Sequence, residues 1–565
     1  RNLKQKHGGD EQEVMQVLMD ELKRRLMEST NVALFLNKNR SITLEGETLQ
    51  IIYVSGTELS GDEEFEKNIF SAVQEMSYRY DHNGVKQYAI RPDVSFFVNG
   101  IFLGYLELKS VSNGQNAKRH GRDKITTDYL EAMQAYARLA DGNDVKQSLR
   151  RNMLRIFEKS IHLVSTDINE TYVLRNVAQF FDETKKGFYD GTLSISDYRP
   201  NMNKVFKPYP LSSESMPQEA RFEEVMTALY AKKMIEKEIL YYNFLQYSYQ
   251  EKADGTKKAK KERTSNTGRL ISPRPKQKYG CDKIMRRVRE MLDHEQEPDY
   301  FINKLRNDLT QMGASPEKIE KIIADRPAYC NNKYVYSLLL QYAAGFGKSN
   351  IIGWTALQLK DMRYNGEWAY DKVLIVVDRL QLRDQTDTMM MNMNIDKAMF
   401  TEARDQKEFI KALTDKRRII VVNIQKFLDL QDALKRAGKE LKQMRVAFLI
   451  DEIHRSNTGD SHEQMVSTFD QLQDVFDANE GNVLGRKKNL IVGFTATPSE
   501  KVLARFGEYY GGENINKVRC PKEKQIRADL VFQNWIEKLN LDSIPPKMFW
   551  ETNPSDYRPD EEIPF

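Results

Sequence analysis

The chain has 565 residues and a net charge of only +4, a length that suggests three or four domains at roughly 150 residues each. With 40% hydrophobic and 30% charged residues, the composition excludes a disordered protein. The near-neutral balance excludes a uniformly basic nucleic-acid binder, so any DNA path must come from local clustering.

The start, Arg1-Asn2-Leu3-Lys4, has neither an apolar signal core nor an initiator Met, so a fragment is expected. Residues 11–28 place Val14, Val17, Leu18, Leu22 and Leu26 at helical spacing. Ile42 to Val54 reads as strands. Glu63 to Tyr80 reads as a second helix, with Phe65, Ile69, Val73 and Met76 on one face. A hairpin follows: Val94 to Val98, a turn at Asn99-Gly100, then Ile101 to Leu108. Residues 126–140 read as a helix. Lys252 to Arg263 is Lys-rich and almost free of apolar residues, which reads as a solvated linker.

Beyond it, short apolar runs alternate with helical stretches: Val373–Val377, Ile419–Val422, Val446–Ile450 and Leu490–Phe494. Continuous apolar strands between helices predict a parallel sheet covered on both faces. The tail after Pro521 is polar and Pro-rich, and no internal repeat is found. Cys281, Cys330 and Cys520 are too sparse for a zinc site or a disulfide framework, which points to a reducing cytoplasm. No apolar run approaches the ~20 residues that span a membrane.

Two constellations carry chemistry. Ser337–Gln341 is a plausible strand running into Gly345-Phe346-Gly347-Lys348-Ser349 and an apolar helix. A glycine loop between strand and helix aims backbone N–H groups at phosphate oxygens. Lys348 would reach the β- and γ-phosphates and Ser349 would ligate Mg²⁺. Tyr342 stands where the full phosphate-loop pattern has its first Gly. Asp451-Glu452 close the strand Val446–Ile450, at the sheet end where ligands bind. Asp451 would hold Mg²⁺ and Glu452 would polarise the attacking water. The plainer reading of the pair is an acidic strand-to-loop cap.

The second constellation is Arg91-Pro92-Asp93 before the hairpin and Glu107-Leu108-Lys109 at its end. Two carboxylates, Asp93 and Glu107, can hold Mg²⁺, and a lysine, Lys109, can orient the water it activates. Glu107 and Lys109 share one face of the strand, and Leu106 and Leu108 should point into a core. A regular two-residue hairpin would set Asp93 opposite Leu106, facing away from Glu107. Asp93 therefore joins the site only with a bulge, with a three-residue loop, or by lying just before the strand, re-aimed by Pro92. The alternative is an exposed, salt-bridged strand. Glu63 or Glu66 could add an acidic ligand, although such residues usually just face solvent.

The motor residues resemble superfamily 2 helicases and translocases. Asp451-Glu452-Ile453-His454 is similar to the Asp-Glu-x-His box, and Thr495-Ala496-Thr497 to the Ser/Thr-Ala-Thr motif. The resemblance implies that His454 and the Thr-Ala-Thr segment couple hydrolysis to DNA movement. It also implies that Gln277, in Arg274-Pro275-Lys276-Gln277, reads adenine, although its gap to Lys348 is long. Val376 through Gln385 and Asn423 through Phe427 resemble segments that touch the DNA backbone; Arg379 and Lys426 there could equally be solvated charges.

A Pro-Asp…Glu-x-Lys nuclease followed by such a motor resembles the restriction subunit of type I restriction–modification enzymes. The resemblance covers roughly residues 60–510. It implies an α/β chain with a restriction-endonuclease-like mixed-sheet domain at 1–250, a basic linker at 251–268 and a RecA-like parallel-sheet lobe at 269–515. Residues 516–565 would begin the connection to a second lobe. It further implies a type I site-specific deoxyribonuclease using ATP and Mg²⁺ on double-stranded DNA, together with methyltransferase and specificity subunits. The family's Gln-x3-Tyr spacing is not met by Gln134 and Tyr136. The residues after Thr497 are too few for the second lobe and its arginine finger, so a truncated chain is expected, able to bind ATP but not to translocate alone. A DNA-repair helicase–nuclease and a non-catalytic scaffold are the competing readings; the complete set Asp93, Glu107, Lys109, Lys348, Asp451 and Glu452 argues against the scaffold.

Overall fold

A computed structural model of the chain describes residues 11–55, 64–82, 85–139, 153–175, 177, 206–209, 218–247, 249–252, 260–263, 268–295, 297, 300–311, 313–324, 335–342, 345–377, 400–403, 406–423, 444–453 and 489–495. They form two compact units, one running to Lys278 apart from residues 212–214, the other from Tyr279 onward. That division falls inside a helix, Pro275–Asp293, beyond the stretch read as a linker. The linker's two ends are themselves paired: Tyr249–Lys252 and Lys260–Arg263 form an antiparallel ribbon. Among the described residues, no helix is long and apolar enough to cross a membrane.

The first unit is built on a six-stranded mixed sheet. Its strands are β1 (Phe70–Gln74), β2 (Val94–Val98), β3 (Ile101–Leu108), β4 (His162–Thr166), β5 (Thr171–Leu174) and β6 (Phe206–Pro208). They lie side by side in chain order. All neighbours are antiparallel except β3 and β4, which run parallel, joined by the crossover that contains helix α1 (Arg122–Leu139). β3 is covered on both faces: Phe102, Leu103, Tyr105 and Leu106 are all buried. Leu103 reaches a cluster with Val32, Phe35, Leu36 and Ile52, under the N-terminal helices Glu11–Glu28 and Val32–Lys38.

The helix expected over Glu63–Tyr80 is not formed. Glu64–Lys67 is one 3-10 turn, and Phe70–Gln74 is the edge strand β1. Of the apolar set at helical spacing only Phe65 is buried; Ile69 is 70% exposed. The pairing of β1 with β2 overrides the local period. Asn99 pins the strand's entry, because its Oδ1 accepts from Ile69 N at 2.8 Å and its Nδ2 donates to Ile51 O at 2.8 Å. The segment Ile42–Val54 forms one small hairpin, Ser41–Leu44 with Glu47–Gln50.

The second unit has the expected parallel sheet. Its strands are β7 (Val335–Gln341), β8 (Lys372–Val377), β9 (Phe400–Ala403), β10 (Ile419–Asn423), β11 (Val446–Ile450) and β12 (Asn489–Thr495). Their order is β7-β12-β11-β8-β10-β9, and all pairs are parallel. Every residue of β11 and β12 is buried, as the continuous apolar runs require. The carboxyl ends of β7, β12, β11 and β8 therefore line one rim, where loops can hold a ligand.

Candidate functional site

The hairpin of β2 and β3 turns through Asn99 (φ 49°) and Gly100 (φ 76°), two left-handed residues that a tight two-residue turn requires. Val98 faces Ile101 and Phe97 faces Phe102, the regular pairing. The ladder then slips: Phe96 faces Gly104 and Val94 faces Leu106, so Leu103 is an extra residue on β3. Ile161 N donates to Leu103 O at 2.8 Å and holds the bulge from the next strand. Extending the shifted pairing by one position sets Asp93 opposite Glu107, on the same side of the sheet. Asp93 also precedes β2, so two of the three routes foreseen for it coincide.

The side chains follow. Asp93 Oδ2 accepts from Leu108 N at 2.6 Å. Glu107 has a side chain only 2% exposed and receives two ammonium groups on Oε1, Lys109 Nζ at 2.6 Å and Lys124 Nζ at 2.6 Å. This leaves Asp93 Oδ1 and Glu107 Oε2 with no hydrogen-bond partner among the described residues. Two carboxylate oxygens of that kind suit a hard, oxygen-seeking cation. Among the described residues, no group of three or more His, Cys, Asp or Glu has metal-holding geometry, so these two carboxylates would be the protein's share of the ligands. Leu108 is 41% exposed instead of pointing into the core, because β3 ends there and the chain leaves the sheet. Glu66 lies in the 3-10 turn and pairs with Lys232 at 2.7 Å, while Glu63 lies outside the described residues.

Lys124 and Asp128 were missed in the sequence. Both sit on α1 and, with Gly121, follow helical spacing that puts them on one face. Burial pushes the Asp128 carboxyl up to about 6; Lys124 pulls it back and Glu107 adds to the rise. Burial also drives the Tyr105 hydroxyl well above its ordinary value, and Glu107 pushes in the same direction. Gln134 and Tyr136 lie in α1, but their side chains fall outside the described residues.

In the second unit, β7 runs into the glycine loop, and helix α3 (Lys348–Asp361) starts on its far side; helix α2 (Pro275–Asp293) precedes both. Gly345 (φ 76°) and Gly347 (φ 83°) are left-handed, which a side chain would strain. Gly347 caps α3 with no side-chain bond, so the first N–H groups of the helix keep their free, partly positive ends. Tyr342 is fully buried and stacks on Phe346 at 5.1 Å. Its hydroxyl lies over Gly280 of α2, where a Cβ would come within 1.8 Å. An aromatic ring thus fills the place of the missing glycine, and a glycine on the neighbouring helix makes room for it.

Across the rim, Tyr342 N donates to Thr495 O at 2.8 Å, Ile453 N to Phe494 O at 3.1 Å and Asp451 N to Val376 O at 3.0 Å. These bonds tie the ends of β7, β12, β11 and β8 together. Asp451 Oδ1 accepts from Glu452 N at 2.9 Å, and Glu452 is left-handed at φ 48°. That turn brings Glu452 Oε1 to 3.1 Å from Lys348 Nζ. Lys348, Asp451 and Glu452 are thus brought to one place, and Ser349 is the second residue of α3. Gln277 lies in the first turn of α2, where its Oε1 accepts from Arg274 N at 2.8 Å and caps the helix. His454, Arg379, Gln385, Lys426, Ala496 and Thr497 lie outside the described residues.

The comparisons agree with this two-part layout. Residues 6–178 match the family model "Type I restriction enzyme R protein N terminus", and residues 270–500 match "Type III restriction enzyme, res subunit". No curated protein matches the chain. Among solved structures, the chain is similar to the UvsW helicase from bacteriophage T4, with 17% identity, a TM-score of 0.20 and coverage of 31% of this chain and 53% of that one. It is also similar to the DUF1998 helicase MrfA, with 12% identity, a TM-score of 0.21 and coverage of 43% and 42%. The chain therefore spans about half the length of those structures, and overlaps this loose support nothing about activity. The two family matches lie in the order R-protein N terminus, then res subunit, and this pair supports a type I restriction enzyme R subunit.

Proposed function

We propose that the chain is the motor and nuclease subunit of a type I restriction complex, hydrolysing ATP to move double-stranded DNA and cutting it in a Mg²⁺-dependent step. The observation that carries this reading is the Leu103 bulge, which turns Asp93 onto the side of Glu107 and Lys109. A strand that merely closed a core would have no need to bury a glutamate at 2% exposure beside a second carboxylate.

Asp93 and Glu107 would hold Mg²⁺ at the nuclease centre; Ser349 and Asp451 would hold it at the nucleotide. When bound between the two carboxylates, the ion supplies charge neutralisation on the phosphodiester and a more acidic water. Lys109, fixed by Glu107, places a positive charge where the phosphate becomes more negative in the transition state. Leu108 N, which donates to Asp93, keeps that carboxylate aimed. In the motor, the glycine loop and the N-terminus of α3 would bind the phosphates, Lys348 would neutralise them and Glu452 would orient water. Gln277 would read adenine. The partners are duplex DNA and the methyltransferase and specificity subunits of the same complex, acting in the cytoplasm.

The test is plasmid cleavage by the full-length protein with those subunits. Lys348→Ala should abolish ATP-dependent cutting. Lys109→Ala should abolish cutting while ATP hydrolysis persists. A Lys109→Ala protein that cuts normally would remove the nuclease assignment.

A further inference from the structure

Lys124 enters the nuclease centre from α1. Gly121, just before that helix, makes the approach possible: a Cβ there would meet Ser165 Oγ at 2.0 Å and Lys109 Cγ at 3.3 Å. One turn on, Lys124 Nζ stands 2.6 Å from the Glu107 oxygen that Lys109 already holds at 2.6 Å. The two ammonium groups are therefore at most about 5 Å apart and repel each other. Both ammonium groups share one Glu107 oxygen, so Glu107 keeps a counter-ion when either of them leaves. The two lysines also differ in access: the Lys109 side chain is 10% exposed and that of Lys124 is 34% exposed. Lys124 also acts by charge on Asp128, one turn further along α1.

We propose that Lys124 is a substrate-binding residue of this centre, whose ammonium leaves Glu107 for a non-bridging oxygen of the DNA phosphodiester when a duplex is seated. This rests on the nuclease reading of Asp93, Glu107 and Lys109. Lys109, with its stem buried, stays on Glu107. Lys124 sits at the rim on a flexible four-carbon stem and changes partner. It gives up nothing in the exchange once the Glu107 charge is neutralised by other means.

The experiment uses the full-length protein and a short duplex, with affinity measured against salt in Ca²⁺ and in EDTA. In Ca²⁺ the slope of log affinity on log salt should fall by about 0.9 for Lys124→Gln, the loss of one phosphate contact, and be retained by Lys124→Arg. In EDTA, where Lys124 remains on Glu107, the slopes should coincide. Cleavage in Mg²⁺ should fall about 100-fold in Lys124→Gln and recover in Lys124→Arg. On the wild-type protein, which avoids any folding defect of a variant, amine-directed labelling of Lys124 should drop when duplex is added in Ca²⁺. Equal slopes in Ca²⁺, or equal labelling with and without duplex, would make Lys124 an internal counter-ion and overturn the proposal. If Lys124→Gln matches the wild type while Lys109→Ala is inert, only this proposal is lost. If Lys109→Ala and Glu107→Gln also cut normally, the nuclease reading itself is lost.

Discussion

Lys348 Nζ lies 3.1 Å from Glu452 Oε1, joining the first residue of α3 to the turn that follows β11. Both side chains are largely buried and form an ion pair with each other. On the proposed reading, a nucleotide phosphate would draw Lys348 away and leave Glu452 facing the water it would orient. Glu452→Gln should therefore keep nucleotide binding but lower ATP hydrolysis by about 100-fold or more. Lys348→Ala should lose both. Fluorescent-nucleotide titration beside a phosphate-release assay separates the two, and equal loss of binding in both variants would contradict the assignment of Glu452.

The proposed nuclease centre should fail independently of the proposed motor. Asp93→Ala removes one of the two carboxylates that would hold the metal, and cutting should fall by about 100-fold or more, the order seen when a key electrostatic group is removed. ATP hydrolysis stimulated by DNA should continue. Plasmid nicking and linearisation, measured alongside phosphate release, check this; a parallel loss of both activities would mean that Asp93 matters for folding instead.

Two glycines of the β2–β3 hairpin should respond to alanine for different reasons. At Gly104 a Cβ would fall 2.2 Å from His162 O, a backbone atom that cannot step aside. Gly104→Ala should cost about 1–3 kcal/mol through overpacking. At Gly100 nothing lies within 4 Å, but φ is +76°. Gly100→Ala should cost roughly 1–2 kcal/mol from backbone strain alone. Denaturant midpoints measure both, and the difference shows in a second variant: Gly100→Asn, which tolerates this backbone, should recover most of the loss.

Asp128 gives a pH signature. Its carboxyl is raised to about 6 by burial, so between about pH 4 and 6 the folded protein binds a proton that the unfolded chain has released. The associated stability is present below pH 4 and is lost as pH rises through 6. Asp128→Asn should therefore be more stable than the wild type at pH 7, by about 1 kcal/mol once the group's partial exposure is allowed for. The gap should close towards pH 4. Melting temperatures of the two proteins across pH 4–8 provide the check, and a constant gap would contradict it.

The parallel sheet was legible in the sequence because buried strands such as Val446–Ile450 are uninterrupted apolar runs. The turn before α3 was legible because its glycines, Gly345 and Gly347, mark left-handed positions. Ile69, Val73 and Met76 misled because helical spacing was satisfied by side chains that an edge strand and its flanks leave exposed. Leu108 misled because strand alternation says nothing about where the sheet stops. The parity of the hairpin showed that a regular ladder would fail Asp93, yet no local signal chose Leu103 as the extra residue. That choice is made at long range, by the cluster that takes its side chain and by Ile161 on the next strand. Lys124 was out of reach for the same reason: its partner Glu107 lies 17 residues away and meets it only after α1 has packed.

Leu103 also makes the proposed nuclease centre a matter of counting. Removing Leu103 would return the hairpin to even spacing with every chemical group of the centre still present. Asp93 would then look to the opposite side of the sheet from Glu107. One-residue insertions and deletions in this stretch should behave as null alleles while conservative substitutions pass unnoticed, and an insertion into β2 opposite the bulge would act like a deletion within it. The centre is thus guarded by chain length, a property that a table of tolerated amino acids would not reveal.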